Sequence, residues 1–334
     1  MDWKIFGHDW AVTLLQAHAG GEKLRHAYLF VGPEGVGRQT LALRFTQALN
    51  CRQATEPGQM CGICRDCRQI EALQYPDLSV LLPEEGHRDI LIDQVRRLQH
   101  TLSLAPFAAN YRIALLPNFE RVTTEAANAL LKTLEEPSDK VVLLLTASTL
   151  ESLLPTIVSR CEVIRLRPAP LEKTREYLML VKGLSLEKAD LFAHLSSGRI
   201  GAAIRFADEP ELLTLREESL EMLLELLPAA RVDRFSAAER LCKPYIEARQ
   251  NVGDVLPYWL TFWRDVFIRT SGADLPLVNQ DLIPRIDQAA SQINFELARE
   301  LVLAHEKAQQ DLDAYANVKL IVETLMLRWP YVSI

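Results

Sequence analysis

A glycine-rich segment at residues 32–40, Gly-Pro-Glu-Gly-Val-Gly-Arg-Gln-Thr, has the spacing of a phosphate-binding loop without two of its functional side chains. The motif G-x-x-x-x-G-K-[ST] needs glycines so that backbone N–H groups surround phosphate oxygens, a Lys for the β- and γ-phosphates, and a hydroxyl for Mg²⁺. Here Arg38 replaces the Lys and Gln39 replaces the hydroxyl residue. Because Arg is bulkier than Lys and an amide is a poor substitute for a hydroxyl on Mg²⁺, we predict a degenerate nucleotide site that does not hydrolyse. Its candidate contacts are Gly32, Gly35, Gly37, Arg38, Gln39 and Thr40.

Four of the six cysteines fall within residues 51–67, with the spacing C-x9-C-x2-C-x2-C. Two-residue gaps let a tight turn present neighbouring thiolates to one ion, and four thiolates in a tetrahedron form a closed, structural zinc site. An iron–sulfur cluster is the rival interpretation, but ferredoxin-type motifs add a cysteine followed by Pro shortly downstream, and here the next cysteine is Cys161. Four free thiols are the third interpretation. We predict a structural Zn²⁺, in a module between a helix and the next strand, held by Cys51, Cys61, Cys64 and Cys67.

The bulk properties favour a soluble, cytoplasmic protein of more than one domain. The chain has 334 residues, of which 49% are apolar, so it is too long for one typical core and too apolar to be disordered. A net charge of −7 argues against autonomous DNA binding. The first ten residues lack the pattern of a signal peptide, and the longest strongly apolar run, residues 141–147, is too short to span a membrane. We therefore expect no membrane partner.

Short apolar runs alternate with amphipathic segments up to about residue 166, which predicts a parallel sheet covered by helices on both faces. The predicted strands are residues 27–31, 78–82, 113–116, 141–146 and 163–166. The predicted helices in this part are residues 40–49, 92–102 and 124–136, the last with Thr124 as N-cap. After a break at Pro168 and Pro170 the pattern is helical, including residues 171–206, 212–227, 295–310 and 317–328.

Several strings together resemble the clamp-loader branch of the AAA+ ATPases, and the resemblance covers most of the chain. Residues 26–30, His-Ala-Tyr-Leu-Phe, lead into the glycine loop as in that family, and the four-cysteine insertion lies where the family carries a zinc module. Residues 128–137, Asn-Ala-Leu-Leu-Lys-Thr-Leu-Glu-Glu-Pro, form the most specific string. Residues 159–161 form the family's Ser-Arg-Cys motif, and residues 317–328 are similar to the last helix of its collar domain.

This resemblance implies an architecture and a role. The expected domains are an α/β RecA-like AAA+ domain at residues 1–166 with the zinc module at 51–67, a small helical lid at 167–207, and an all-α collar at 208–334. The expected partners are the motor subunits (gamma or tau) and the delta subunit of the DNA polymerase III clamp loader, in a ring of five. Such a ring opens a sliding clamp and places it on primed DNA, using ATP bound by its motor subunits. The DNA polymerase activity associated with the family belongs to the holoenzyme.

Other positions that act on nucleotide in this family are altered as well. Working members follow a strand with Asp-Glu, which binds Mg²⁺ and polarises the attacking water, whereas Pro117 and Asn118 stand there in this chain. Glu120 lies two residues past the needed position. The nucleotide-sensing Arg of the lid corresponds to Gly201, and Thr146 matches a sensor position that usually holds a polar residue. Four catalytic positions are altered together, and this set argues against hydrolysis. They are Arg38, Gln39, Pro117 and Asn118.

Arg160 is the one residue that the resemblance implies to be catalytic, flanked by Ser159 and Cys161 in the Ser-Arg-Cys motif. An arginine finger stabilises charge on the transferring phosphoryl group in a neighbour's site, and it needs no intact site in its own subunit. On the pattern alone, Arg160 would be a surface arginine that pairs with Glu162 or caps a helix end. The resemblance favours a finger that acts in trans.

Three functional hypotheses follow. The first is a subunit that scaffolds the clamp loader without hydrolysing ATP and donates Arg160. The second is an active AAA+ ATPase in which Arg38 replaces the Lys, and Pro117 and Asn118 disfavour it. The third is a zinc-dependent nucleic-acid-binding module acting alone; the acidic charge and the lack of aromatic residues interleaved with basic ones disfavour it. Because the loop glycines remain, the sequence leaves open whether nucleotide binds without hydrolysis.

Overall fold

The computed structural model describes residues 3–85, 87–243, 245 and 247–333, and it divides into two compact units. The first unit contains residues 1–173 and 198–202, and the second contains residues 174–197 and 203–334. Each unit buries its own apolar residues. The division into domains at residues 1–166, 167–207 and 208–334 stays a prediction.

A parallel sheet lies at the centre of the first unit. Its strands are β1 (Ala27–Val31), β2 (Leu78–Val80), β3 (Arg112–Leu116), β4 (Val141–Ala147) and β5 (Glu162–Arg165). In the described part of the chain their spatial order is β2-β3-β4-β1-β5, and each neighbouring pair is parallel. Every residue of β1, β3 and β4 is buried, as expected for a parallel sheet covered on both faces.

Helices cover the two faces of this sheet. They are α1 (Asp9–Ala19), α2 (Arg38–Asn50), α3 (Arg65–Glu71), α4 (Ile92–Leu102), α5 (Thr124–Glu135) and α6 (Pro155–Val158). Because successive strand residues point to opposite faces, Tyr28 and Phe30 of β1 pack in the core formed with α1 and α2, whereas Leu29 and Val31 pack in the core formed with α4 and α5. The predicted α/β fold, a parallel sheet with helices on both faces, is confirmed.

Two helix starts differ from the sequence prediction. The N-cap of α5 is Thr123, whose hydroxyl accepts a hydrogen bond from the backbone N–H of Ala126, so the assignment of Thr124 as N-cap was wrong. Two adjacent threonines are equally good cap residues by type, and only the backbone geometry distinguishes them. The helix after the glycine loop begins at Arg38, because Gly37, with φ of 105°, forms its N-cap directly before it. Arg38 therefore belongs to a rigid helical turn.

From residue 171 onward the described elements are helical, as predicted. They are α7 (Leu171–Lys182), α8 (Leu186–Leu195), α9 (Ile200–Asp208), α10 (Glu211–Leu226), α11 (Arg231–Leu241), α12 (Ala248–Ser271), α13 (Ile283–Ala290), α14 (Phe295–Asp313) and α15 (Val318–Arg328). The second unit is organised around α12, which packs against α10, α13 and α14 and buries Trp259, Phe262 and Trp263 completely. In the residues described, no helix combines the length and apolar character needed to cross a membrane.

His305 of α14 lies in the aromatic core of this second unit. Its ring stacks on Trp329, with centroids 6.2 Å apart, and is tilted against Trp263 at 6.3 Å. Nδ1 lies 2.7 Å from the carbonyl oxygen of Leu301, which assigns the proton to Nδ1, and the buried Nε2 has no hydrogen-bond partner in the described part of the protein. Burial lowers the pKa of His305 to about 4, although the Leu301 carbonyl favours the charged form.

We expect mild acid to destabilise the chain through His305. The folded pKa of about 4 lies below the ordinary 6.5, so the unfolded chain binds a proton as the pH falls below 6.5, whereas the folded chain does not until about pH 4. The free energy of unfolding should therefore drop over this window by on the order of 3 kcal/mol from this group. His305→Phe should remove that drop in urea denaturation, and His100→Gln, at an exposed histidine of α4, should leave it unchanged. A drop of the same size in His305→Phe would exclude His305 as its source.

Candidate nucleotide, metal and arginine-finger sites

The glycine loop joins β1 to α2, which is the strand–loop–helix order that a phosphate-binding loop requires. A Cβ on Gly32 would lie 2.4 Å from the carbonyl oxygen of Leu166, so a larger residue does not fit there. Gly35 and Gly37 have φ of 79° and 105°, in the left-handed region that glycine adopts without strain. The backbone requirements of the loop therefore account for its glycines, whether or not phosphate binds.

The Arg38 side chain is engaged with protein groups at the carboxyl ends of two strands. It is 7% exposed, and its Nη2 and Nη1 donate to Asn118 Oδ1 and Ser148 Oγ, each at 3.3 Å. Asn118 comes shortly after β3, and Ser148 directly follows β4. Burial lowers the pKa of Arg38, although Glu120 and Glu34 favour its charged form. The guanidinium that replaces the phosphate-binding ammonium thus has protein acceptors as its partners.

The same residues form one hydrogen-bonded network. The backbone N–H of Asn118 donates to Thr146 Oγ1 at 3.0 Å, so the sensor-like hydroxyl of Thr146 holds the turn after β3. The hydroxyl and the N–H of Ser148 donate to Glu120 Oε1 at 2.7 and 3.2 Å. Glu120 is therefore tied to Ser148, next to Arg38, and does not occupy the position of an Asp-Glu pair. Hydrogen bonds within this chain thus connect Arg38 to Asn118, Thr146, Ser148 and Glu120.

The first turn of α9 contacts the loop directly. The N–H of Gly201 donates to the carbonyl oxygen of Gly35 at 2.8 Å, and a Cβ on Gly201 would lie 2.8 Å from the same oxygen. A Cβ on Gly35 would lie 2.9 Å from the Cβ of Ala202. An Arg at position 201 would therefore require the helix or the loop to move. Gln39 and Thr40 are exposed on the first turn of α2. The close packing of Gly201 against Gly35 thus leaves no room for a side chain at position 201 in this arrangement.

The four clustered cysteines converge between α2 and β2, where the zinc module was predicted. Their Sγ atoms all lie within 4.8 Å of one another, and Cys61 Sγ and Cys67 Sγ are 4.0 Å apart. Four sulfur atoms at about 2.3 Å from a tetrahedral zinc lie roughly 3.8 Å from one another, so the cluster fits this ion. Cys64 and Cys67 are buried, and Cys51 and Cys61 are half-buried. The convergence is confirmed, and the identity of the metal stays a prediction.

Backbone N–H groups are directed at the sulfur atoms of this cluster. The N–H groups of Cys61, Cys64 and Cys67 donate to the Sγ atoms of Cys51, Cys61 and Cys64 at 3.3, 3.3 and 3.4 Å. Burial opposes ionisation of Cys61, but hydrogen bonds from the N–H groups of Ile63 and Cys64 and from the thiols of Cys64 and Cys51 together lower its pKa to about 7. Burial raises the pKa of Cys67. A cation at the centre would supply the charge that favours four thiolates together.

Arg160 lies in the turn between α6 and β5, with 34% of its side chain exposed. Its Nη2 donates to Glu135 Oε1 at 2.6 Å, and its Nη1 donates to the carbonyl oxygen of Thr156 at 2.9 Å and to Ser159 Oγ at 3.4 Å. Burial raises the pKa of the neighbouring Cys161 thiol to about 12, which disfavours its nucleophilic thiolate form. Arg160 is thus a charged, solvent-accessible group on a fixed turn.

The sequence analysis missed three residues that contact the candidate sites. The expected surface partner of Arg160, Glu162, instead pairs with Arg25 at 3.7 Å, and Glu135 takes its place. Ser148 was not singled out, although its position directly after a buried strand is a usual signal for a site residue in an α/β sheet. His8, whose Nε2 lies 2.9 Å from the Val36 carbonyl oxygen in the glycine loop, carries no pattern that sequence alone could flag.

Comparison with known proteins is consistent across the chain. Residues 7–170 match the family model "DNA polymerase III, delta subunit", and residues 212–330 match "DNA polymerase III, delta subunit, C terminal". The DNA polymerase III subunit delta' of Yersinia pestis is 32% identical over 335 residues, covering 95% of this chain and 92% of that one. The Bacillus subtilis subunit delta' is 28% identical over 307 residues, covering 92% and 91%. The Escherichia coli subunit tau is 28% identical over 210 residues, covering 61% of this chain and 32% of that protein. The chain therefore belongs to the delta' family of DNA polymerase III subunits.

Proposed function

We propose that this chain serves the clamp loader of DNA polymerase III as a subunit that does not hydrolyse ATP and that donates Arg160 to the site of a neighbouring subunit. The observation that carries the proposal is the engagement of Arg38 by Asn118 and Ser148. With Arg38 only 7% exposed and paired with these acceptors, the cation at the Lys position is withdrawn from the β- and γ-phosphates that a Lys would recognise. Gly201, at the position of the nucleotide-sensing Arg, has no side chain that could reach a phosphate, and it packs against Gly35.

The trans role of Arg160 is supported by its contrast with Arg38. Both guanidinium groups have acceptors in their own chain, but Arg38 is only 7% exposed, whereas 34% of the Arg160 side chain is exposed on the turn before β5. A group that acts on a neighbour's phosphates must be reachable from outside and must be held in place. Arg160 meets both requirements, with Glu135, Thr156 and Ser159 as its supports.

The metal belongs to the same proposal as a structural element. Cys51, Cys61, Cys64 and Cys67 would hold one Zn²⁺, which leaves no open coordination position for a substrate. When bound, the ion supplies a crosslink between the segment after α2 and α3. The module would thereby stabilise the connection between α2 and β2.

The proposed partners are the motor subunits (gamma or tau) and the delta subunit in a five-subunit ring, with the sliding clamp and primed DNA reached through the assembly. Similarity to the subunit tau of Escherichia coli over 61% of this chain supports assembly with subunits of related fold. The collar at residues 208–334 would provide the ring contacts. The net charge of −7 supports DNA contact through the assembly over autonomous binding.

The test is ATP turnover with and without the partner subunits. The purified chain alone should release no phosphate from Mg²⁺–ATP above a buffer control, because its site lacks the groups that bind Mg²⁺ and the γ-phosphate. Added to the motor and delta subunits of the same organism, the chain should co-elute with them on size exclusion and raise their turnover. Turnover by the chain alone would contradict the proposal and favour the active-ATPase alternative.

A further inference from the structure

We infer that Glu135 is a positioning residue for the arginine finger, an inference that rests on the proposed function of Arg160. The Glu135 carboxylate accepts from Arg160 Nη2 at 2.6 Å, a shorter hydrogen bond than those from the same guanidinium to Thr156 and Ser159. Glu135 is the last residue of α5, and Arg160 lies in the turn after α6, so the pair links two elements far apart in sequence. Glu135 touches no nucleotide itself and would act through Arg160.

The geometry leaves donors for a phosphate. A guanidinium carries more N–H donors than the contacts with Glu135, Thr156 and Ser159 use. These contacts use both N–H groups of Nη1 and one of Nη2, so the N–H of Nε and the second N–H of Nη2 remain as donors for phosphate oxygens of a neighbour. An arginine that is fixed before the reaction loses less side-chain entropy when it meets the transition state. The ion pair therefore favours catalysis and does not compete with it.

The place of Glu135 in α5 argues against a role in helix stability. A carboxylate at the C-terminus of a helix faces the negative end of the helix dipole, which is unfavourable by some tenths of a kcal/mol. The side chain is 51% exposed, so its pair with Arg160 contributes little to folding. Glu135 thus does not stabilise its own helix, and yet it forms this contact. We attribute the contact to its effect on Arg160.

The neighbouring Glu136 offers a matched control. It follows Glu135 directly, is exposed, and serves as the C-cap of α5 through its backbone N–H. Glu136→Ala removes the same charge from the same helix end without removing the acceptor for Arg160. Glu135→Gln keeps the shape of the side chain and one acceptor oxygen and removes only the charge.

The experiment is single-turnover ATP hydrolysis by the assembled loader that contains each variant, together with the thermal midpoint of each isolated chain. Glu135→Ala should lower the hydrolysis rate at the site served by Arg160 about 10-fold, with unchanged ATP affinity and an unchanged midpoint. Glu135→Gln should fall between this variant and wild type, and Glu136→Ala should match wild type. In an Arg160→Ala background, Glu135→Ala should have no further effect.

The outcomes separate this inference from the function on which it rests. If Arg160→Ala leaves hydrolysis unchanged, the proposed finger is wrong, and the inference falls with it. If Arg160→Ala slows hydrolysis while Glu135→Ala matches wild type, only the positioning role is overturned. Faster hydrolysis in Glu135→Ala would mean that Glu135 competes with phosphate for Arg160, and an additive loss in the double variant would mean that it acts elsewhere. Either result would overturn the positioning role of Glu135.

Discussion

Arg160→Ala is expected to slow ATP hydrolysis by about 10³-fold or more at the neighbouring site that receives this residue. The loss arises because no other group would neutralise the charge that develops on the transferring phosphoryl group in that site. Sites served by other subunits should keep their rates. Rapid-quench measurement of a single turnover by the assembled loader should show that the fast phase loses the contribution of one site.

The fold and the assembly should survive this substitution. The pair of Arg160 with Glu135 is partly exposed on both sides, so its removal should cost at most about 1 kcal/mol of unfolding free energy. Arg160→Lys should recover only part of the rate, because an ammonium lacks the planar fork of a guanidinium. Arg167→Ala, at an exposed arginine seven residues later in the chain, serves as the control. An Arg160→Ala loader with the full fast phase would rule out the trans role.

Cys67→Ser is expected to remove the bound metal and to destabilise the module between α2 and β2. Cys67 is fully buried, so the substitution leaves an unpaired hydroxyl among the remaining sulfur atoms and a site with one ligand fewer. Structural zinc in small modules contributes about 10–16 kcal/mol of binding free energy, most of which depends on a complete ligand set. We therefore expect about one zinc per wild-type chain and almost none in the variant, measured by mass spectrometry of the metal content.

Cys242→Ser provides the matched control for this experiment. Cys242 is also buried, but it lies in the second unit, outside the cluster, and its replacement should leave the zinc content unchanged. Limited proteolysis should then cut Cys67→Ser within residues 51–75 faster than it cuts Cys242→Ser. Wild-type protein that carries no metal would contradict the zinc assignment. Bound iron with a visible absorption band would favour the iron–sulfur alternative.

Much of the α/β unit could be predicted because its physical signals are local. Runs such as residues 27–31 and 141–146 are apolar throughout, as strands buried on both faces must be, and the structure places β1 and β4 there. The cysteine cluster could also be predicted, since C-x2-C spacing by itself brings two sulfur atoms within reach of one ion. The N-cap of α5 could not, because Thr123 and Thr124 have the same capping chemistry.

The contacts that decide function lie between segments far apart in the chain. The partners of Arg38 are Asn118 and Ser148, and the partner of Arg160 is Glu135. The altered residue types at the expected nucleotide positions could be read from the sequence. The hydrogen-bonded network around Arg38 could not, because it depends on how the ends of β3 and β4 meet α2. The sequence accounts for Gly201 only as a missing arginine, whereas the structure shows that its N–H and its lack of a Cβ allow α9 to contact the loop.

Isothermal titration calorimetry of Mg²⁺–ATP into the purified chain, with phosphate release followed on the same sample, is the decisive measurement. With Arg38 held by Asn118 and Ser148, and with Gly201 against Gly35, we predict no saturable heat and no phosphate release. A motor subunit of the same loader, titrated in parallel, should give both. Saturable binding accompanied by turnover in this chain would contradict a degenerate site and would make the protein an ATPase in its own right.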